Sequence, residues 1–104
     1  MATRTPWGPA QDVTEYPGGI RFYRTASHGG FKVPEALLGR IPYKVRAGTW
    51  GSMGLGGWFE EDVDAAIVPV FFPESFTPEQ VAAVRAYRLL VELRLDEWRA
   101  DRAS

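Results

Sequence analysis

Glycine and proline interrupt the first half of the chain too often to allow long helices or strands there. The 104 residues include eleven glycines and eight prolines, many of them within residues 1–18 and 41–57. Proline removes a backbone donor, and glycine loses more conformational freedom on folding than any other residue. The sequence therefore predicts short strands and turns up to residue 57, and it confines longer elements to the C-terminal part.

The segment from residue 20 to residue 33 predicts a β-hairpin. Hydrophobic residues alternate on both sides of a turn-like Ser-His-Gly-Gly sequence, which is typical of two short paired strands. We expect residues 20–25 to pair with residues 30–33 across a loop at residues 26–29, where glycines adopt positive φ at little cost. The alternating residues are Ile20, Phe22, Phe31 and Val33.

The segments on either side of the hairpin are expected to be irregular or short. Trp7 should anchor the proline-rich start of the chain, because an indole left in water forfeits a large burial energy. Pro34 suits the first position of one or two helical turns that end at Gly39. A short strand over residues 43–46, followed by a glycine-rich loop over residues 48–57, is the prediction for the next segment.

Two helices are predicted in the C-terminal half. The first begins at Trp58, because Glu60, Glu61 and Asp62 would lie at the positive end of its macrodipole, and Pro69 would end or kink it. The second begins at the capping sequence Thr-Pro-Glu-Gln over residues 77–80 and runs to about residue 99. Together these elements predict one α+β domain over residues 1–104. A small antiparallel sheet from the N-terminal half would be packed by two C-terminal helices.

Composition excludes several classes of function. Twelve lysines and arginines against thirteen acidic residues give a net charge of −1, so the total charge indicates neither a general nucleic-acid binder nor a DNA mimic. The absence of cysteine excludes disulfides and thiolate sites, and a single histidine, His28, excludes any site with two histidine ligands. No stretch resembles a signal peptide or a membrane span, so we expect a soluble cytoplasmic protein.

His28 is the most obvious candidate for catalysis, since an imidazole titrates near physiological pH and this one lies between Ser27 and two glycines. The sequence fixes no partner for it, and the nucleophile-elbow pattern is missing. We therefore interpret His28 as a turn residue and predict no catalytic residue and no cofactor. The glycine-rich loop over residues 48–57 contains no lysine and matches no phosphate-binding motif.

An acidic cluster after an aromatic pair is the candidate binding site. We expect its carboxylates to cap a helix and to bind a basic surface, and we predict no metal site there. Its residues are Trp58, Glu60, Glu61, Asp62 and Asp64. A nucleic-acid surface is a weaker alternative, and its residues would be Arg21, Arg24, Lys32 and Arg40.

Three sequence blocks, TPWGPAQ at residues 5–11, TASHGG at 25–30 and GWFEEDVDAA at 57–66, resemble an uncharacterised domain family associated with plasmids, prophages and other bacterial mobile elements. The resemblance extends from about Thr5 to Phe76 and carries no catalytic residues. Small proteins of phages and plasmids often inhibit host defence, as anti-CRISPR and anti-restriction proteins do, by occupying a surface of their target. The resemblance therefore implies the same kind of action here.

The sequence thus leads us to expect a non-enzymatic, protein-binding inhibitor of a bacterial defence complex such as a CRISPR effector. Direct nucleic-acid binding and membrane association are not expected. One alternative is a small hydrolase or nuclease that combines His28 with the acidic residues 60–64. The other is a nucleic-acid-binding accessory protein.

Overall fold

A computed structural model describes residues 3–62 and 64–84 of the chain. The fold is α+β, as predicted, and it contains two small antiparallel sheets and several short helices. The strands are Arg4–Thr5 (β1), Gly8–Pro9 (β2), Asp12–Glu15 (β3), Arg21–Arg24 (β4), Gly29–Lys32 (β5) and Trp58–Glu60 (β6). The α-helices are Glu35–Leu38 (α1), Tyr43–Ala47 (α2), Ile67–Phe71 (α3) and Pro78–Ala83 (α4), and 3₁₀ turns cover Pro17–Gly19, Trp50–Gly56 and Pro73–Ser75.

The larger sheet has the order β3-β4-β5-β6, with every pair antiparallel. Its register places Phe22 opposite Phe31 and Phe31 opposite Phe59, so three aromatic rings lie side by side on one face. Phe31 and Phe59 are 8% and 0% exposed and belong to the main core. Helical residues complete this core, and they are Leu38, Val45, Ile67 and Val68. The aromatic row therefore fixes which face of the sheet the helices cover.

The N-terminal hairpin of β1 and β2 brings Trp7 onto the opposite face. The Trp7 ring makes an edge contact with Trp58 at a centroid distance of 5.7 Å. It also lies directly over Gly30, where a Cβ would stand 2.4 Å from Trp7 Cη2 and 2.5 Å from the Phe59 carbonyl oxygen. The expected anchoring role of Trp7 is confirmed, and Gly30 leaves the space that the indole needs.

Several local predictions are confirmed. The hairpin of β4 and β5 forms with both strands shifted by one residue or less from the predicted start, and α1 follows Pro34 and ends at Gly39. Thr77 and Gln80 form a complete capping box at the start of α4, with the Gln80 N–H donating to Thr77 Oγ1 at 3.2 Å. The remainder of the predicted helix, up to residue 99, lies outside the described residues.

Two predictions are wrong. The segment at residues 43–46, predicted as a strand, belongs to the helix α2. Pro42, just before the helix, has an extended backbone, and the helix buries Val45. The predicted helix from Trp58 is instead β6, a turn and then α3, because Phe59 gains more by pairing with Phe31 in the core than a helix start would provide. Pro69 is accommodated within the first turn of α3, where its missing N–H costs no intrahelical bond.

Within residues 3–62 and 64–84, no helix is long and apolar enough to cross a membrane.

Candidate functional site

The loop that carries His28 is held by the Thr25 side chain. Thr25 Oγ1 donates to the His28 carbonyl oxygen at 2.5 Å and accepts the His28 N–H at 3.1 Å. Ser27 Oγ donates to the Trp7 carbonyl oxygen at 3.2 Å, which joins the loop to the N-terminal hairpin. The backbone of His28 is therefore fixed, whereas its side chain is 54% exposed.

The two glycines after His28 serve close packing. Positive φ was expected in this turn, but neither Gly29 nor Gly30 is among the residues with positive φ. A Cβ on Gly29 would stand 2.9 Å from the Tyr23 carbonyl oxygen and 3.1 Å from Glu61 Oε2. Glycine at this position therefore allows the acidic turn after β6 to approach the histidine loop.

The turn after β6 carries the acidic residues and folds around Glu60. The Glu61 N–H donates to the Gly29 carbonyl oxygen at 2.9 Å, which brings this turn beside the histidine loop. The Asp62 N–H donates to Glu60 Oε2 at 3.0 Å, and the Asp64 N–H donates to the Glu60 carbonyl oxygen at 2.8 Å. The bond from Asp62 holds one carboxylate oxygen of Glu60, and the other two bonds fix the backbone of the turn.

His28, Glu60, Glu61 and Asp62 form one cluster, which we call the His28 cluster. His28 Nδ1 lies 3.4 Å from Glu60 Oε1. One ligand-type nitrogen or oxygen from each of the four residues lies within 4.8 Å of the other three. The Glu60 side chain is 8% exposed, whereas Glu61 and Asp62 are exposed. The structure thus supplies the partner for His28 that the sequence could not identify.

A cleft of about 200 Å³ opens beside the His28 cluster, and we call it the tryptophan cleft. It is lined by Trp7, His28, Trp50, Glu60 and Asp62. Trp50 is 63% exposed, so its ring is available to a molecule that enters. The surface of the cleft is mostly apolar, and the Glu60 and Asp62 side chains contribute to a small polar part of it. This combination is suited to a positively charged side chain that also has an apolar stem.

Asp64 holds the wall of the cleft in place. Its Oδ2 accepts the backbone N–H of Trp50 at 2.9 Å, and the residue is only 5% exposed. Burial raises the pKa of the Asp64 carboxyl, the bond from Trp50 opposes this effect, and the Glu60 charge adds to it. Asp64 therefore acts on the position of Trp50 and does not face a partner.

The five predicted binding residues differ in their exposure to solvent. Trp58 is half-buried between Trp7 and the Lys32 ammonium, which lies 4.9 Å from its ring centroid. Glu60 and Asp64 are buried, and only Glu61 and Asp62 remain on the surface. No continuous exposed ridge of carboxylates exists among these five residues.

Trp7 and Trp50 are the site residues that the sequence did not assign. Neither shares a spacing pattern with His28 or with the acidic residues, and both reach the cleft through the tertiary fold. The sequence did contain one sign that Trp50 could belong to a binding site, namely its place in the glycine-rich segment 48–57. A large aromatic ring between glycines has few local neighbours to bury it.

The basic residues of the alternative nucleic-acid surface are largely engaged. Arg21 pairs with Glu15 at 3.3 Å, and Arg40 pairs with Glu74 and donates to the Phe71 carbonyl oxygen at 2.6 Å. Lys32 donates to the Gly56 carbonyl oxygen. Three of the four basic residues of this alternative surface therefore already have partners in the fold.

Comparison with known proteins identifies a family but no individual relative. Residues 1–103 match a family described as a domain of unknown function, DUF7007. No curated protein and no solved structure matches the chain.

Proposed function

The chain belongs to the DUF7007 family, and we propose that it is a non-enzymatic protein-binding module whose tryptophan cleft captures a cationic side chain of its partner. The family description assigns no activity, so the proposal rests on the site alone.

The observation that carries the proposal is the buried carboxylate of Glu60 beside an open cleft. Its Oε1 receives no hydrogen bond from any described residue, and the nearest side-chain nitrogen among ion-pair partners is His28 Nδ1 at 3.4 Å. Neither lysine nor arginine forms an ion pair with Glu60, Glu61 or Asp62 within the described part of the chain. A buried carboxylate without a full cation is costly, so a guest that brings one is stabilised.

The walls of the cleft favour an arginine. A guanidinium stacks on aromatic faces and binds carboxylates through two parallel hydrogen bonds. A cation over an indole contributes about 0.5–2 kcal/mol, depending on how well it is desolvated. The cleft volume of about 200 Å³ is below the roughly 300–1,000 Å³ of pockets for drug-sized ligands, so one side chain is the appropriate size of guest.

A bacterial defence complex, such as a CRISPR effector, is the kind of partner that this cleft fits. Complexes that handle nucleic acid carry arginine-rich surfaces, and a small protein that inserts acidic and aromatic groups there would block the surface by occupancy. A cytoplasmic location, where such complexes act, is part of the same proposal.

A small hydrolase or nuclease is the second candidate, and the contact between His28 and Glu60 favours it. The two candidates predict different results for His28→Ala. An occupancy mechanism retains most of the binding or inhibitory activity, whereas loss of a catalytic base lowers the rate by about 10²- to 10⁴-fold.

The direct test uses two capped tripeptides, glycine–arginine–glycine and glycine–glutamine–glycine, titrated into the protein while tryptophan fluorescence is measured. We expect saturable binding of the arginine peptide only. Trp50→Ala and Asp62→Asn should each weaken binding, and both side chains are exposed, so the fold should tolerate these changes. Glu79→Gln, on the exposed face of α4, is the matched control and should bind like the wild type.

Equal binding of the two peptides, or an arginine affinity that neither variant changes, would overturn the proposal. In that case the tryptophan cleft does not recognise cationic side chains.

A further inference from the structure

We infer that the His28 cluster also binds one divalent transition-metal ion, and that the bound metal regulates the tryptophan cleft by excluding the cationic side chain. The metal site stands on the geometry of the cluster alone. The regulatory part rests on the proposed function.

The spacing of the cluster is close to that of a coordination sphere. Metal–ligand distances of about 2.0–2.2 Å place two opposite ligands about 4.0–4.4 Å apart. The widest separation in the His28 cluster is 4.8 Å. The widest pair therefore needs to close by about 0.4 Å to take opposite positions of an octahedral sphere, and by about 1.2–1.5 Å to take two positions of a tetrahedral one. His28, Glu61 and Asp62 are exposed side chains and are free to make this adjustment.

Glu60 gives the site a fixed point. Its side chain is more than nine-tenths buried, and its Oε2 is held by the Asp62 N–H. Its Oε1 faces the cluster without a hydrogen bond from the described residues. The distance of 3.4 Å to His28 Nδ1 is longer than a normal hydrogen bond of about 2.7–3.2 Å. This oxygen borders the cleft and receives no hydrogen bond from the described residues, so it is available to a cation.

The four ligand residues come from two separate segments of the chain, which the fold brings together. His28 precedes β5, and the three carboxylates lie at the end of β6 and in the turn after it. The bond from the Glu61 N–H to the Gly29 carbonyl oxygen sets the distance between the two segments. The cluster is therefore not a run of acidic residues on one solvated helix face, since its nitrogen ligand comes from the loop before a different strand.

The donor set indicates which metal is bound. Imidazole suits zinc, iron, copper and nickel, while carboxylates suit magnesium, calcium and manganese. One nitrogen with three carboxylate oxygens is therefore appropriate for Mn²⁺ or Zn²⁺ and less appropriate for Ca²⁺, which takes oxygen ligands almost exclusively.

Metal binding would change what the cleft accepts. The three carboxylates attract a guanidinium in the absence of metal, whereas a divalent ion bound to them occupies the acceptor oxygens and repels another cation. The metal and the arginine side chain would consequently compete for Glu60 and Asp62.

The metal site is tested with Mn²⁺ and the full chain, using the loss of the electron paramagnetic resonance signal of free Mn²⁺. We expect one ion per chain and competition by Zn²⁺ in preference to Ca²⁺. Asp62→Asn and Glu61→Gln, both at exposed positions, should each weaken binding at least tenfold, and His28→Gln should reduce the preference for Zn²⁺ over Ca²⁺. Glu79→Gln should leave binding unchanged.

Absence of Mn²⁺ binding at millimolar concentration, or binding that all three cluster variants retain, overturns the metal site. Regulation is tested separately by repeating the arginine-peptide titration with Mn²⁺ present, where the peptide affinity should fall. Peptide binding that Mn²⁺ does not alter overturns regulation. Metal binding with no peptide binding overturns regulation and the proposed function together, but leaves the metal site supported.

Discussion

Two charged regions of this protein differ in whether their charged side chains are paired. At the corner between α1 and α3, Arg40 donates to the Glu74 carboxylate and to the Phe71 carbonyl oxygen, and its guanidinium lies 4.5 Å from the Phe72 ring centroid. At the His28 cluster, three carboxylates share one histidine whose contact to Glu60 is 3.4 Å long. In the first region the cation and the carboxylate are paired with each other, whereas in the second region three carboxylates have only one histidine near them.

The difference separates a structural use of charge at Arg40 from the binding use that we propose for the His28 cluster. Arg40 joins two helical segments, and both of its terminal nitrogens donate to groups of the same chain. The carboxylates of the His28 cluster lie beside a cleft and would gain from a cation that comes from outside.

The largest effect on stability should come from Gly30→Ala, which would displace Trp7 from the wall of the tryptophan cleft. The new methyl group would clash with Trp7 and with the Phe59 backbone, and overpacking of this kind costs about 3 kcal/mol. Urea denaturation measures the loss in the free energy of unfolding. Gly39→Ala is the control, because nothing lies within 4 Å of its added Cβ. Similar stability of both variants would mean that Trp7 is not seated as described.

The next effect concerns binding at the acidic region. Changing Glu61 and Asp62 together to lysine reverses two exposed charges at the rim of the cleft. We expect the affinity for a basic partner or for the arginine peptide to fall at least tenfold, equivalent to about 1.4 kcal/mol, and its salt dependence to flatten. Circular dichroism should remain unchanged. If affinity and salt slope both stay at the wild-type values, these carboxylates serve the turn and not a guest.

A smaller effect should distinguish the two regions by stability. Arg40→Met removes the bonds to Glu74 and Phe71 and should lower the thermal midpoint. Glu60→Gln retains an acceptor for the Asp62 N–H and removes a buried charge, so it should leave the midpoint unchanged or raise it. A fall for Glu60→Gln as large as that for Arg40→Met would show that the His28 contact is a structural ion pair, and the comparison would fail.

The smallest effect is a difference in pH dependence. Arg40 holds the pKa of the Glu74 carboxyl below its usual range, so Glu74 stabilises the fold above its ordinary pKa, and this contribution is lost as the pH falls through the folded value. Burial raises the pKa of Asp64, so its contribution is present below its ordinary pKa and is lost as the pH rises through the folded value.

Denaturation of the wild type, Glu74→Gln and Asp64→Asn across the acid range measures these signs. As the pH rises, Glu74→Gln should lose stability relative to the wild type, and Asp64→Asn should gain it. Slopes of the same sign for both variants would contradict the assignment.

The parts of the fold that sequence reasoning predicted are those encoded by neighbouring residues. The hairpin of β4 and β5 follows from alternation around a short turn, and the capping box of α4 needs only Thr77 and Gln80. The segment at residues 58–66 was mistaken for a helix because its acidic residues favour a helix start locally. Phe59 decided otherwise by pairing with Phe31, a contact that no local pattern encodes.

Sequence reasoning named several residues of the candidate site as candidates, but it could not give their arrangement. His28 and the acidic residues were both identified, but the register that places Gly30 opposite Glu60 is what brings them together. The indole walls were missed for the same reason, since Trp7 reaches the cleft through packing on Gly30 and Trp50 through the carboxylate of Asp64.

The pairing of β5 with β6 has a consequence for how the protein is assembled. The chain passes through residues 33–57 before β6 returns to the sheet, so this contact carries a larger loop-closure cost than the local hairpin of β4 and β5. A nascent chain that has not yet added β6 has the histidine loop but none of its carboxylates. A cation that binds His28 and Glu60 together would therefore select the completed fold, and at a hundredfold excess over its dissociation constant it would stabilise that fold by about 2.7 kcal/mol.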